Sequence, residues 1–234
     1  MKINLRLAIV FCFVSTILIS ESKKEGVVDS ILGKAFVKKE NKWNPLKLGD
    51  SVGNGDSVKT GNASRVSISY EGSEYRLAPN TEVQLNDVFS EKKDAVVDVK
   101  QGLAWLKVEN LKANSLKVKT PTFTAGVRGT KFATVYDPKL KNSMFCMCEG
   151  KVDVYKNEDE DSKKQIKTGS GASFTTGKSE FEVNDYKEKI KGTSSNPEFE
   201  KSVKEFPLLA NCTSCHIAKG WTPKGAVADP VYGK

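Results

Sequence analysis

The chain has 234 residues, 38% of them hydrophobic and 28% charged, a balance that can fill a core and excludes wholesale disorder. One apolar segment, near the N-terminus, suits a bilayer, so a polytopic membrane protein is excluded. A single histidine excludes a His-rich metal site and any His relay.

The net charge of +8 is nearly all lysine, since Arg6, Arg65, Arg76 and Arg128 are the only arginines. Base readout and bidentate phosphate contacts favour arginine. The lysines are interleaved with acids, as in Lys38-Lys39-Glu40 and Glu91-Lys92-Lys93-Asp94. The charge therefore reads as a solvated surface with mild attraction for an anionic membrane, and not as a nucleic-acid footprint.

Met1 to Ser22 reads as a secretory signal. Lys2 and Arg6 supply the positive region, Leu7 to Ile19 the apolar run, and Ser20-Glu21-Ser22 the small residues of a cleavage site. An uncleaved anchor is the alternative; bulky Phe11 before Cys12 argues against lipidation. Either way the remainder is expected outside the cytoplasm, in the periplasm or cell envelope. Signal removal leaves two cysteine pairs, Cys146 with Cys148 and Cys212 with Cys215. A bridge within Cys146-x-Cys148 would be strained in an extended strand.

From about Val27 to Phe174 the pattern has period two, broken by turn chemistry, which predicts an all-β domain. Val66, Ile68 and Tyr70 alternate with Arg65, Ser67 and Ser69; Val97 with Val99, Leu116 with Val118, and Val152 with Val154 repeat the pattern. Between them lie Gly49-Asp50, Gly53-Asn54-Gly55-Asp56, Thr60-Gly61-Asn62, Glu71-Gly72-Ser73, Pro79-Asn80 and Glu149-Gly150, residues that tolerate tight hairpins. Asn157 to Lys164 reads as a charged loop. A short polar helix is expected over Asn184–Lys191, capped by Asn184 or Asp185. Gly192 to Asn196 has linker composition. After Pro197, Phe199, Val203 and Phe206 mark an amphipathic helical turn or two, and the tail from Gly220 is irregular. The expected divisions are a signal or anchor at 1–22, a β domain at 26–175, helix and linker at 176–197, and a short C-terminal segment at 198–234.

Several phrases in series resemble the FecR domain family. They are Trp43-Asn44-Pro45-Leu46-Lys47-Leu48-Gly49-Asp50, Asn54-Gly55-Asp56-Ser57-Val58-Lys59-Thr60-Gly61, Ser64-Arg65-Val66 and Arg76-Leu77-Ala78-Pro79-Asn80-Thr81. Thr120-Pro121, Gly126-Val127-Arg128-Gly129-Thr130-Lys131-Phe132 and Glu149-Gly150-Lys151-Val152 follow. Their order matches the family over roughly Gly26 to Val154. The resemblance implies an extracytoplasmic β-sandwich or β-roll. In the best-known members it relays an outer-membrane iron-uptake signal to a sigma factor through a cytosolic N-terminal arm and a membrane span. Here the apolar run begins at Leu7, so the fold is expected to transfer and the anti-sigma role is not. The phrases read as scaffold. Arg128 is expected to thread into the sheet and pair with a carboxylate, a ligand-facing cation being the alternative; Trp43 is expected in the core.

Cys212-Thr213-Ser214-Cys215-His216 is C-x-x-C-H, the attachment signature of c-type haem. Two thiols three residues apart on a helical turn can add to the two porphyrin vinyl groups, and the adjacent histidine then lies beneath the iron. Phe206 before the motif and Ala228-Asp229-Pro230-Val231-Tyr232-Gly233 after it resemble the flanks of small cytochromes c. Cys212 and Cys215 are thus candidate haem anchors and His216 the candidate iron ligand, with no catalytic residues. No Met or His follows His216, so an open or weakly held sixth position is expected. A zinc site needs a fourth ligand, a redox dithiol needs a βαβ context, and a Cys212–Cys215 disulfide is the remaining alternative. The expected function is an exported, non-enzymatic interaction or sensing module carrying one haem for electron transfer or redox-responsive signalling, with an unidentified protein partner. The alternative is a structural or signalling β module without cofactor.

Overall fold

The computed structural model describes residues 24–185, apart from Glu91, Lys92, Asn110, residues 112–114, Glu158 and Ser179, together with Lys204. Cys212, Cys215 and His216 lie outside the described residues, as do the expected signal, linker and tail. In chain order the strands are β1 (Gly26–Leu32), β2 (Ala35–Lys39), β3 (Lys42–Leu46), β4 (Ser51–Val52), β5 (Ser57–Thr60) and β6 (Arg65–Tyr70). Then come β7 (Ser73–Leu77), β8 (Glu82–Asn86), β9 (Ala95–Lys107), β10 (Leu116–Lys119), β11 (Phe123–Val127) and β12 (Lys131–Asp137). The last are β13 (Asn142–Glu149), β14 (Lys151–Lys156), β15 (Asp159–Lys167), β16 (Ser170–Thr175) and β17 (Glu182–Asp185). The all-β expectation is borne out.

Pairing sorts these strands into two sheets that share β9. The first runs β4-β1-β6-β7-β9-β12-β13-β16-β17. The second runs β3-β2-β5-β8-β9-β10-β11-β14-β15. All pairings are antiparallel except β9 with β10. The first half of β9 pairs with β8 and β10, the second half with β7 and β12. The strand changes sheets near Gly102, where its φ is +88°. A register shift opposite Glu82 and Val83 bends it there, as bulges do.

Local chemistry explains the hairpins. Glu40-Asn41 and Glu71-Gly72 both take positive φ, at 49° and 68° and at 47° and 86°. That is the two-residue geometry whose twist matches antiparallel strands. Asp50 and Asp56 hold their loops from within, accepting the Lys47 and Gly53 N–H groups at 2.8 Å each. The Asn54 carbonyl oxygen accepts the Phe89 N–H at 2.9 Å, tying one loop to another far along the chain.

The inward faces of both sheets form one apolar cluster, with Val58, Val83, Val97, Val118 and Val154 from one and Ile68, Leu77, Leu106, Phe132 and Phe145 from the other. A row of rings crosses it. Phe132 stacks on Phe145 at 5.0 Å, Phe145 meets Phe123 edge-on at 6.0 Å, Phe123 stacks on Phe174 at 4.5 Å, and Phe174 on Phe181 at 4.3 Å.

Two local expectations are corrected. Asp159–Lys164 is not loop but the start of β15, and all but the half-buried Ser162 of these residues is exposed where described. An edge strand open to water tolerates charge on both faces, and charge there guards against stray pairing, so the loop-like composition conceals a strand. Asn184 and Asp185, expected to open a helix, end β17 and pair with Gly171 and Ser170, so no helix begins at Asn184; the rest of the expected helix, 186–191, lies outside the described residues.

Burial, with Tyr70 alongside, pushes the Tyr75 phenol above its ordinary range. An unfolded tyrosine ionises near pH ~10, whereas folded Tyr75 stays neutral beyond that. The contribution is fully present below pH ~10 and is lost as pH climbs through the raised value. Tyr75→Phe is therefore expected to move the alkaline unfolding midpoint upward, read by circular dichroism between about pH 8 and 12. An unchanged midpoint would show that Tyr75 ionisation does not drive alkaline unfolding.

Candidate functional site

Of the two arginines within the family-like phrases at Arg76 and Arg128, the first is held by the scaffold and the second is exposed. Arg76 donates from Nε to Glu74 Oε1 at 2.5 Å and from Nη2 to Glu74 Oε2 at 2.8 Å. Ser67 donates to Glu74 Oε1 at 3.0 Å. The same guanidinium lies 4.7 Å from the centre of the Trp105 ring. Arg76, and not Arg128, is thus built into the sheet with a carboxylate. Arg128 is exposed, because the Val127 side chain takes the core-facing position beside it. Trp43 is half-buried on β3, with Lys59 Nζ 4.0 Å from its ring centre. It is a stacking surface on an edge strand and not a core residue.

The outward faces of the two sheets differ. On the second sheet, Lys38, Lys59, Gln84, Asp98 and Lys117 are half-buried and Lys119 is exposed, as expected of a wet face. On the first sheet the register places Leu103 beside Val135, Trp105 beside Ala133, Val135 beside Met144 and Ala133 beside Cys146. All six point away from the shared core. Their exposures are nonetheless 0% for Leu103, Ala133, Val135 and Cys146, 1% for Met144 and 8% for Trp105. Sequence reasoning missed this face. Its signal was the loss of alternation in Phe132-Ala133-Thr134-Val135 and Ser143-Met144-Phe145-Cys146-Met147, the mark of strands buried on both sides.

The cysteines of β13 divide. Cys146 is buried in that row, and Cys148, half-buried, is disulfide-bonded. Cys148 sits where the β12–β13 register shifts, between the pairs Phe132–Met147 and Lys131–Glu149. Neither methionine is presented to solvent: Met147 belongs to the core cluster, and Met144 is 1% exposed.

One cleft lies between Thr122, Asn157 and Gly177. Two of its lining residues, Thr122 and Asn157, belong to a hydroxyl–amide network in which Thr122 donates to Ser143 at 2.6 Å, Ser143 to Thr120 at 2.8 Å and Thr124 to Asn157 at 2.8 Å. The Asn157 amide donates to the Thr120 carbonyl at 2.7 Å. These bonds tie β11, β13 and the β14–β15 turn together. No group of three or more metal-binding side chains occurs among the described residues, and no helix among them is long and apolar enough to cross a membrane.

Residues 56–141 match the FecR protein family. That FecR span runs from β5 through β12, includes the crossing of β9 between sheets, and is narrower than the stretch over which the motifs resemble the family. Two crystal structures of a candidate anti-sigma factor from Parabacteroides distasonis are similar to this chain, each with 15% identity and a TM-score of 0.48. Each match covers 55% of this chain and 59% of the other, so it spans about three-fifths of that protein's length. No curated protein matches.

Proposed function

We propose that this chain is an exported FecR-type interaction and sensing module, without enzymatic activity, that carries one covalent c-type haem on Cys212 and Cys215 with His216 as iron ligand. The observation that carries the reading is the C-x-x-C-H motif containing the chain's single histidine. The FecR match supports the module and a protein partner; the signal-like N-terminus supports the periplasm or cell envelope. When bound, the haem supplies a one-electron iron centre. This chain's part would be to hold it by two thioether sulfurs, formed when the Cys212 and Cys215 thiols add to the vinyl groups, and by the His216 imidazole. A methionine ligand would have to leave the buried sheet, so lysine, water or a partner's group is the expected sixth ligand.

With Cys146 unbridged, the disulfide on Cys148 leaves Cys12, Cys212 or Cys215 as its partner within the chain. The haem reading requires Cys12, retained in an uncleaved anchor, and a second reading takes a C-terminal cysteine. There the C-terminal cysteines serve in disulfides, and the chain is a structural or signalling module without cofactor. The two readings part on one preparation, made in cells competent in cytochrome maturation. The first expects a Soret band, a positive pyridine haemochrome and an intact mass heavier by one porphyrin. Colourless protein whose non-reducing peptide map places Cys212 or Cys215 in a disulfide would sink it and uphold the second. A low-spin, methionine-ligated spectrum would overturn the sixth-ligand expectation alone.

A further inference from the structure

The outward row of Leu103, Trp105, Ala133, Val135, Met144 and Cys146 is almost wholly shielded. Yet every strand of the second sheet packs on the opposite, inward side. A side chain the size of leucine or methionine on an open sheet face keeps part of its surface in water, so near-zero exposure demands a cover. The shielding is local. Val27, on the same face beside Ser69 at the β1 end, is 46% exposed. Between them the face is polar, with Ser67, Glu74 and Arg76. The covered patch therefore lies on the side of the sheet that ends in β17, the last strand before the chain's C-terminal segment.

We propose that this face is the seat of an amphipathic helix formed by residues 199–209 of the same chain. Phe199, Val203 and Phe206 recur at helical spacing, with Leu208 and Leu209 directly after. Lys204, within that stretch, is helical and exposed, which fits a helix turning its apolar stripe away from water. Reach is sufficient. Residues 186–198 can span up to about 40 Å when extended, against about 20 Å across the strands from β17 to β9. The seat also brings Cys212, three residues past Leu209, close to the sheet that carries Cys148. This assignment does not depend on the haem, because it concerns the helix and not the motif after it.

The test uses the full chain with Trp43→Phe and Trp221→Phe, leaving Trp105 as the sole reporter. Blue emission and weak acrylamide quenching are expected. Adding Phe199→Asp and Phe206→Asp is expected to redshift the emission and raise the quenching constant severalfold, with the far-ultraviolet β signal retained. Lys201→Ser with Lys204→Ser, on the polar side, should change neither. If the double aspartate variant loses its β signal, Phe206→Ser alone provides the same reading. Unchanged shielding after disruption of the stripe would overturn the proposal. So would exposure of Trp105 on removing residues 1–23, which would make that segment the cover, or shielding that fades on dilution, which would make a second copy the cover.

Discussion

Gly102→Ala is expected to destabilise the protein by about 3–5 kcal/mol, lowering the melting temperature by roughly 10 °C. Gly102 sits at a φ of +88° where β9 passes from one sheet to the other, and an added Cβ would lie 2.5 Å from the Thr81 Cα. The neighbour is backbone, so it cannot rotate away. Thr81 is itself fixed, because its Oγ1 accepts the Leu103 N–H at 2.9 Å and donates to the Leu103 carbonyl at 3.1 Å. Its N–H donates to Thr60 Oγ1 at 3.0 Å. Displacing Thr81 would break this buried tie between β5 and β9. Gly126→Ala is the control. That glycine meets nothing within 4 Å and has no positive φ, so its change should stay within about 0.5 kcal/mol. Urea unfolding of the pair decides the matter: equal midpoints would mean that the crossing is not strained in the way described.

Phe145→Ala should cost about 3–5 kcal/mol. The ring is fully buried, stacked on Phe132 at 5.0 Å and edge-on to Phe123 at 6.0 Å. It therefore links the Phe132 end of the aromatic row to the Phe123–Phe174–Phe181 end. Alanine removes both ring contacts, each worth about 0.5–1.5 kcal/mol beyond burial, and leaves a cavity between two sheets that cannot close without sliding. Phe145→Leu, which keeps most of the volume, should lose less than half as much. Phe36, half-buried on the outward face of the second sheet, should tolerate alanine far better. A Phe145→Ala loss no larger than that of Phe36→Ala, measured by denaturant midpoint, would contradict the packing account.

The arginines and tryptophans show why part of this was hidden from a linear reading. Arg76 and Arg128 occupy similar phrases, each beside an alternating apolar residue. Which one is built into the sheet depends on what stands on the neighbouring strand. Register puts Trp105 beside Arg76, and Glu74 lies two residues away on the same face. The glutamate stands in the arginine's own surroundings, but the tryptophan ring that covers the guanidinium comes from a strand far along the chain. Trp43 looks like core by size, but it falls on β3, which closes one edge of its sheet, and a large ring there keeps water on one side. The charged run at Asp159–Lys164 failed as a loop for a related reason. Hairpin closure with β14 supplies its backbone partners, and an edge strand places no apolar demand on its side chains.

Local chemistry alone determined the all-β class, the positions of most turns and the inward residues of the alternating strands. Those features depend on a period of two and on glycine, asparagine and aspartate at hairpins, interactions within a few residues. It also determined the C-x-x-C-H motif, which is read from residue order alone. Only the tertiary structure decided that β9 belongs to both sheets, that β9, β12 and β13 are shielded on both faces around Leu103, Val135 and Cys146 and that Cys148 is disulfide-bonded. Each of these is a relation between segments far apart in sequence. Pairing and burial across such distances are set by the free energy of the whole assembled sheet, and no short window of residues contains it.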